Sequence, residues 1–548
     1  MGLVDLTVHI PSTSTPHGGQ RPPPRWRTLE FKVYFTIAAI VIPIMIWIPV
    51  SLSSPSNPNY PYYYRKLSVG WIGGRLLDNS DAQYRSFRNN VPILAGLAAL
   101  HAFAKAIYVR ASRASLANNL YLLPFNLIFS ICVLFGLHGF NVLKIGVILI
   151  LNYRISKFCG GRKIGPLLTW AFNVAVLFAV EQYDDYPFGD IMPPLAVLDG
   201  FKGAYPRWKL CFNITMLRLI SFNMDYYWSC RNTESHDHKV VGTHGMNEKQ
   251  RQVVPHPEEL YSFGNYVAYI IYAPLYLAGP IITFNDFMWQ YRRPSMITRS
   301  TTLGYFVRFL ASLLTMELIL HSMYVVAIKD RKAWVGFTPA QISMVGFWNL
   351  IIVWLKLLLP WRFFRLWALV DGIDPPENMV RCMANNYSTL GFWRGWHRSY
   401  NLWIIRYIYI PVGGARNVFF NTLLVFTFVA LWHDLTFRLL AWGWLVSFFV
   451  LPELLARWLL PESRYGAKPW YRHVCALGAV VNMLMMVVAN LVGFVVGTDG
   501  IQYFLEGLLG SVEGVQFLVG AVCCMFVGAQ LMFEYREEEM RKGIFRRC

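Results

Sequence analysis

The stretch Tyr34-FTIAAIVIPIMIWIPVSL-Ser53 is an uninterrupted apolar run near the N-terminus, and it decides what kind of fold to expect. Its 20 residues include no charged side chain. At a rise of about 1.5 Å per residue, a helix of this length matches the roughly 30 Å hydrocarbon core of a bilayer. The run therefore predicts a membrane-spanning helix.

The composition of the whole chain agrees with a membrane protein. Of the 548 residues, 55% are hydrophobic and only 15% are charged, whereas soluble domains average roughly 45–50% apolar and about 25% charged residues. These values exclude a disordered chain, a coiled coil and an ordinary cytosolic enzyme. The net charge of +19 comes mostly from basic residues between apolar stretches, such as Arg154 to Lys163. Cations in these positions are explained by anionic lipid headgroups, so we do not expect nucleic acid as a partner.

Apolar stretches recur along the rest of the chain and predict about eleven or twelve passes in total. They lie at 91–109, 119–139, 142–153 with its neighbours, 166–182, 208–228, 262–284, 303–328, 341–370, 417–434 together with 439–460, 473–496 and 515–533.

The predicted fold class is therefore an all-α polytopic membrane protein. Residues 184–206 contain four prolines and predict an irregular segment that lies at the interface or re-enters the membrane. Because non-helical backbone at membrane depth must be buried in protein or line water, such a segment indicates an internal cavity. We divide the chain into a polar, Pro-rich lead (1–33), one membrane domain (34–535) and a charged tail (536–548).

Ionisable side chains inside predicted spans are costly, so each is a candidate for pairing or for function. Arg218 and Asp225 lie seven residues apart, two helical turns along one face, and favour a structural anchor. We expect most of the others to pair within the bundle. The full set is Lys105, Glu181, Arg218, Asp225, Arg308, Glu317 and Lys356.

No metal site is predicted. Four histidines, His236, His238, His244 and His256, occupy a polar stretch without the ligand spacing of a zinc protease, which favours a solvated loop. The nine cysteines include no CxxC spacing, so neither a zinc ribbon nor a disulfide framework is indicated.

The most informative chemistry lies in Gly391-FWRGWHRSYNL-Trp403 and in His433, which follows the apolar run Val418 to Leu431. A neutral imidazole within or near the membrane can accept a proton from a hydroxyl, because its unperturbed pKa is close to neutrality. The mixture of cations and large aromatic rings around His397 suits a boundary between headgroups and acyl chains. From the residues alone, a buried structural histidine at 433 and a solvated histidine at 397 remain open.

These motifs, together with Ile404-IRYIYIPVG-Gly414 and Leu431-WH-Asp434, resemble the membrane-bound O-acyltransferase family. Within it, the chain is similar to the fungal glycerol-uptake subgroup, which is associated with GPI-anchor lipid remodelling and related to Hedgehog acyltransferase. The resemblance covers about residues 90–535. It implies a bundle of transmembrane helices with re-entrant segments around an internal cavity.

The resemblance implies that His433 is the catalytic intramembrane histidine and that His397 occupies the second active-site position. It further implies acyl transfer from acyl-CoA to a lipid hydroxyl, with His433 as general base, in the endoplasmic reticulum or the plasma membrane. The implied acceptor is the lyso-phosphatidylinositol of a GPI anchor or another lysolipid, and no cofactor beyond acyl-CoA is expected. The candidate substrate-binding residues are Trp393, Arg394, Trp396, Arg398, Ser399, Asn401, Trp403, Arg406, Trp432 and Asp434. The three arginines among them are candidates for binding phosphate.

Four alternatives stay open at this point. Within the enzyme class, the acceptor could be a protein, as in the Hedgehog type, or a polyol, as in the bacterial D-alanyl and alginate relatives. Many passes and buried charges also fit a glycerol or polyol transporter. A catalytically silent scaffold is the fourth.

Overall fold

Helices form almost all of the regular secondary structure. The structure is a computed structural model that describes residues 22–112, 118–182, 187–231, 246–294, 297–433, 437–495 and 497–546. In these ranges the paired strands are β1 (Leu67–Val69) and β2 (Leu76–Asp78), an antiparallel pair with Leu67 opposite Asp78. Helices satisfy their own backbone N–H and C=O groups, as a bilayer requires. The predicted all-α fold class is confirmed.

The α-helices of the described ranges are numbered from the N-terminus. The first twelve are α1 (Leu29–Leu52), α2 (Tyr60–Tyr63), α3 (Ala82–Ala111), α4 (Leu123–His138), α5 (Val142–Cys159), α6 (Ile164–Gln182), α7 (Phe188–Ile191), α8 (Trp208–Arg231), α9 (Glu248–Arg251), α10 (Phe263–Ile270), α11 (Ala273–Tyr276) and α12 (Phe284–Arg292). The others are α13 (Arg299–Ser322), α14 (Val325–Asp330), α15 (Pro339–Val370), α16 (Thr389–Gly395), α17 (Arg398–Ile404), α18 (Val418–His433), α19 (Phe437–Leu459), α20 (Glu462–Tyr465), α21 (Tyr471–Asn490), α22 (Gly497–Leu509) and α23 (Val512–Arg541).

Shorter helical turns connect several of these helices. The 3₁₀ turns are Tyr64–Lys66, Leu120–Leu122, Gly139–Asn141, Pro193–Gly200, Glu258–Tyr261 and Gly414–Asn417, and the π-helical turns are Ile405–Tyr409 and Leu491–Val495.

Nine helical segments of the described ranges are long and apolar enough to cross a membrane, which confirms a multi-pass protein. They are Leu29–Leu52, Ala82–Ala111, Leu120–Cys159, Ile164–Gln182, Arg299–Ser322, Pro339–Val370, Leu439–Tyr465, Tyr471–Gly493 and Val512–Arg541. The sequence predicts about eleven or twelve. The difference arises because 119–153 falls in one continuous apolar stretch, and because 208–228 and 262–284 do not meet the same criteria. The joined candidate 417–434 with 439–460 contributes one segment, Leu439–Tyr465.

The predicted single span over residues 262–284 is wrong. Three short helices, α10, α11 and α12, take its place. Pro274 has no N–H to donate and its ring clashes with the carbonyl four residues earlier, so α10 cannot continue through it. Gly279-Pro280 follows α11 and the turn after it. The broken backbone is enclosed by protein, since Tyr272 and Leu275 are fully buried. Irregular backbone of this kind is tolerated in a membrane protein when other protein surrounds it.

The segment predicted to be irregular contains only short helical pieces. Residues 183–186 lie outside the described ranges, and 187–206 forms α7 and a 3₁₀ turn followed by extended chain. Backbone amides of Ala204 and Tyr205 donate to the carbonyls of Gly136 and Leu137, at 2.9 and 2.6 Å. The prolines therefore produce an irregular segment, as predicted, and α4 supplies its hydrogen-bond partners.

Helix α8 lies at the centre of one of two large apolar clusters. Its residues 215–226 are all buried, so it has no polar outer face. A helix that is buried on all sides belongs to the interior of a large protein. Around it pack α10, α11, α12, α17 and the end of α18. The second cluster joins α13, α14 and α15 to parts of the N-terminal helices.

Both predicted domain boundaries fall within helices. Helix α1 begins at Leu29, before the predicted start of the membrane domain at residue 34. Helix α23 continues to Arg541, into the predicted tail. The division into a lead, one membrane domain and a tail stays a prediction.

Candidate active site

His397 lies in a strained turn between α16 and α17. Its backbone has φ 45° and ψ 48°, the left-handed region that costs a non-glycine residue roughly 1–2 kcal/mol. Asn378 holds the next two residues: its carbonyl accepts from the Arg398 amide at 3.0 Å, and its Oδ1 accepts from the Ser399 amide at 3.1 Å. Strained turns of this kind cluster at functional sites. These bonds stabilise a conformation that His397 would otherwise avoid.

The imidazole of His397 is enclosed by aromatic rings. It stacks on the indole of Trp361 with ring centroids 4.4 Å apart and an interplanar angle of 20°. The phenol ring of Tyr400 lies 5.1 Å away. Burial lowers the pKa of His397 to about 3, and the nearby imidazole of His433 contributes to the same shift. His397 is therefore neutral at pH 7.

Trp432 links the two histidines. Its ring centroid is 4.7 Å from that of His433 and 6.4 Å from that of His397. Two hydrogen bonds fix the end of α18 to α8, because Trp432 Nε1 donates to the Asn213 carbonyl and Asn213 Nδ2 donates to the Trp432 carbonyl, each at 2.9 Å. Trp432 is buried, whereas the His433 side chain is exposed. Asp434, a predicted site residue, lies outside the described residues.

The first turns of α17 contribute two large aromatic residues to the same place. Trp403 is fully buried and donates from Nε1 to the Leu217 carbonyl of α8 at 2.9 Å. Tyr400 is also buried, and its ring lies 4.5 Å from that of Trp432. Its hydroxyl has no hydrogen-bond partner in the part of the chain that the structure describes. The sequence singled out Trp403 but missed Tyr400.

The three arginines predicted to hold phosphates occupy different surroundings. Arg398 is buried in an ion pair with Glu248 of α9. Arg406 pairs with Asp225 of α8, at 2.7 Å from its Nη2 to Oδ1. Arg394 is exposed. Because Arg398 is buried and Arg406 is half-buried, Arg394 is the most accessible of the three to an anionic ligand. Phosphate binding by all three stays a prediction.

Arg406 belongs to the π-helical turn that continues α17. Its guanidinium lies 4.7 Å from the centroid of the Trp228 ring, and Asp225 also accepts from the Tyr407 hydroxyl at 2.9 Å. The Asn285 amide donates to the other carboxylate oxygen at 3.1 Å. π-Helical turns are rare and are frequent near functional sites. This turn therefore connects α17 to Asp225 of α8, which in turn contacts α12.

The remaining predicted residues mainly support the local fold. Asn401 Nδ2 donates to the Trp393 carbonyl at 3.2 Å, which links α17 back to α16. The Ser399 hydroxyl accepts from the Ile281 amide at 2.8 Å and is fully buried. Trp396 is half-buried and precedes the strained turn. Contact of these four residues with substrate stays a prediction.

Glu453 contacts the start of α16, and it is absent from the residues that the sequence predicts for the site. It is buried in α19, and it accepts from the Ser388 hydroxyl at 2.6 Å and from the Leu390 amide at 3.2 Å. Both donors belong to the start of α16, where a carboxylate also interacts favourably with the helix dipole. An acidic residue within an apolar span could have been recognised from the sequence by the cost of burying its charge.

Arg218 and Asp225 do not pair with each other. Arg218 donates from its two Nη atoms to the carbonyls of Ile270 and Leu275, at 2.8 and 2.6 Å, while Asp225 pairs with Arg406. Both residues are nevertheless buried and connect α8 to other elements. The predicted structural anchoring is thus achieved through partners distant in sequence.

Most of the other ionisable residues of the spans pair inside the bundle, as expected. Lys105 pairs with Asp371 and Lys356 with Asp81, each at 2.7 Å, and Glu317 accepts from the Tyr84 hydroxyl at 2.7 Å. Glu181 is instead exposed, and the guanidinium of Arg308 lies 5.4 Å from the Tyr305 ring centroid.

The interpretation of His256 as a solvated loop residue is wrong. Its imidazole is buried, with Nε2 2.8 Å from the Asn285 carbonyl and Nδ1 3.1 Å from Arg292 Nη1. His236, His238 and His244 lie outside the described residues. In the described ranges, no three His, Cys, Asp or Glu side chains converge as metal ligands.

Comparison with known sequences identifies the class of protein. The sequence model described as "MBOAT, membrane-bound O-acyltransferase family" matches residues 200–498, which include α8, both histidines and the π-helical turn after α17. Together with a relative that is 47% identical over 96% of this chain, this match shows that the chain belongs to the membrane-bound O-acyltransferase family. It is an acyltransferase.

Two of the relatives are fungal, and a third is from mouse. The relative with 47% identity is the membrane-bound O-acyltransferase GUP1 of Candida tropicalis, 90% of which is covered. The protein of the same name from Saccharomyces cerevisiae is 46% identical over 96% of this chain and 94% of its own length. The mouse protein-cysteine N-palmitoyltransferase HHAT is 28% identical over 44% of this chain and 52% of its own length. The predicted resemblance to the fungal subgroup and to Hedgehog acyltransferase is confirmed.

Proposed function

We propose that this acyltransferase moves a long-chain acyl group from acyl-CoA to a lipid hydroxyl, with the lyso-phosphatidylinositol of GPI anchors as the acceptor. The observation that carries the proposal is the placement of two imidazoles, His397 and His433, beside the same buried indole of Trp432. Membership of the family supports acyl transfer. The lysolipid acceptor and the endoplasmic reticulum membrane follow from the resemblance to the GPI-remodelling subgroup.

In this proposal His433 is the general base. The acceptor hydroxyl gives its proton to the neutral imidazole of His433 while its oxygen attacks the thioester carbonyl. His397, neutral at pH 7, orients that hydroxyl. The C–O bond forms, the C–S bond breaks, and the leaving thiolate takes the proton from His433. Exposure of the His433 side chain supports access of substrate, and the buried Trp432 fixes its backbone.

Acyl-CoA is the only co-substrate that this chemistry requires. Arg394 is the best candidate for a phosphate contact, because it is exposed, whereas Arg398 is buried and Arg406 is half-buried. A bidentate guanidinium suits a phosphate group in geometry as well as in charge. Membrane lipids complete the set of proposed partners.

The test compares purified wild type with His433→Ala in nanodiscs. Labelled long-chain acyl-CoA is supplied with lyso-phosphatidylinositol, and transfer is measured together with the melting temperature. We expect the rate to fall by roughly 10²–10⁴-fold in a folded His433→Ala protein, the usual contribution of a general base. His473→Ala is the matched control, because that imidazole lies on α21, 3.2 Å from Gln530 and outside the site. Unchanged transfer in His433→Ala would contradict the proposed base.

Protein acylation is the second candidate, favoured by one observation. The mouse relative is named a protein-cysteine N-palmitoyltransferase. In the same assay, a peptide acceptor replaces the lysolipid. Transfer to the lysolipid but not to the peptide supports the first candidate, and the opposite result supports the second.

A further inference from the structure

Tyr400 holds a buried hydroxyl that the fold leaves unpaired. The residue is 4% exposed, and its hydroxyl has no hydrogen-bond partner among the described residues. Nearly all buried side-chain hydroxyls in proteins have at least one partner. Leaving a buried hydroxyl without a hydrogen bond costs about 1–3 kcal/mol of stability. A phenylalanine would fill the same space without this cost, so the hydroxyl calls for an explanation.

The location of Tyr400 connects its hydroxyl to the proposed reaction. Its ring lies 5.1 Å from the His397 ring and 4.5 Å from the Trp432 ring, which in turn lies beside His433. Trp403 stacks on its other side at 6.2 Å and 22°. The phenol is therefore fixed by neighbouring rings within the group that contains both histidines. A fixed donor needs no reorganisation when charge develops next to it.

The protonation state of Tyr400 suits a donor. Burial raises the pKa of its hydroxyl well above the ordinary value. The O–H group thus keeps its proton, and can donate a hydrogen bond, throughout the physiological range.

We propose that Tyr400 is a catalytic residue whose O–H donates a hydrogen bond to the acyl carbonyl oxygen of the thioester. The inference rests on the function proposed above. As the acceptor oxygen bonds to the carbonyl carbon, the C=O electron pair moves to the carbonyl oxygen, and Tyr400 stabilises the resulting oxyanion. When the carbonyl re-forms, the C–S bond breaks and the proton held by His433 passes to the thiolate. Tyr400 keeps its proton from start to finish.

The substitution Tyr400→Phe removes the hydroxyl and keeps the ring. In nanodiscs with labelled acyl-CoA and lyso-phosphatidylinositol, we expect kcat to fall about 10²-fold, the lower end for loss of one oxyanion donor. The KM for acyl-CoA stays within about twofold, because the bond strengthens only in the transition state. The melting temperature stays equal or rises, because an unpaired buried hydroxyl is gone. Tyr503→Phe, on α22, is the control and retains full activity.

Two results would overturn the assignment of Tyr400. One is a kcat close to that of wild type. The other is a fall in kcat that accompanies a fall in melting temperature, which indicates a structural role. Both are distinct from failure of the proposed function, which is judged on wild type and His433→Ala alone. If wild type transfers no acyl group to any acceptor, the proposed function fails and the assignment of Tyr400 fails with it.

Discussion

His397 combines an imidazole with a backbone conformation that suits glycine. Its φ of 45° lies in the left-handed region, where the Cβ atom of an L-residue is crowded by the backbone. Replacing it with glycine relieves this crowding, while replacing it with alanine does not. We therefore expect His397→Gly to be more stable than His397→Ala by about 1 kcal/mol, although both lose the imidazole and both transfer acyl groups more slowly.

Thermal unfolding of the two variants in the same detergent, alongside the acyl-transfer assay, checks this expectation. Lys332 offers a control, since it is the other non-glycine residue with positive φ in the described ranges, at 49°. Lys332→Gly and Lys332→Ala should differ in stability in the same direction while both keep wild-type activity. Equal melting temperatures for the two His397 variants would show that the turn relaxes without cost.

Among the elements, α16 depends on a contact from α19. Glu453 accepts hydrogen bonds from the Ser388 side chain and the Leu390 backbone, so it satisfies the start of the helix that leads to His397. In Glu453→Gln an amide nitrogen, which does not accept hydrogen bonds, replaces one of the two carboxylate oxygens, so one of the two donors loses its acceptor. We expect a loss of about 1–3 kcal/mol of stability, the cost of an unmade buried bond. We also expect acyl transfer about tenfold slower, because small displacements of catalytic groups reduce rates strongly.

The acyl-transfer rate and the melting temperature of Glu453→Gln are compared with those of Glu462→Gln. Glu462 is an exposed acid at the start of α20 and should tolerate the change. Ser388→Ala removes one of the two donors and should reproduce part of the defect. Full activity in a stable Glu453→Gln protein would show that α16 holds His397 without help from α19.

At the scale of the whole molecule, Glu534 joins the two ends of the described chain. It is fully buried in α23 and accepts from the Arg25 amide at 3.0 Å, from Arg541 at 2.8 Å and from Arg472 at 3.4 Å. Removing one partner of a buried ion pair costs about 3–5 kcal/mol, because the opposite charges stay buried. We expect Glu534→Gln to lower stability by roughly that amount and to leave the KM for acyl-CoA unchanged.

Unfolding in detergent at low and high salt checks the role of Glu534. Because the network is buried, added salt should change the difference from wild type only slightly. Glu513→Gln, at the exposed first turn of the same helix, should behave as wild type. A Glu534→Gln protein with wild-type stability would mean that the contact between α23 and the start of the described chain does not depend on Glu534.

Much of the fold could be predicted from the sequence because its signals are local. Apolar runs such as Tyr34 to Ser53 predict spans wherever length and charge content match a bilayer. The failure at 262–284 has a local cause too, since Pro274 and Gly279 interrupt a run whose hydropathy alone looks continuous. The site was predicted through motif residues, and Tyr400 and Asn378 escaped notice because nothing in sequence reveals an unpaired hydroxyl or the residue that holds a turn.

The sequence by itself therefore determined the multi-pass helical class, the family and the two histidines to consider. Only the tertiary structure decided which residues meet. His397 and His433 lie 36 positions apart in sequence, and both lie beside the Trp432 ring, which α8 holds through the Asn213 carbonyl. Asp225 likewise pairs with Arg406 and not with Arg218, because the fold places the π-helical turn after α17 against α8. The hydropathy of a segment depends only on residues within a few helical turns. The contacts of a side chain depend on packing between helices that are distant in the chain.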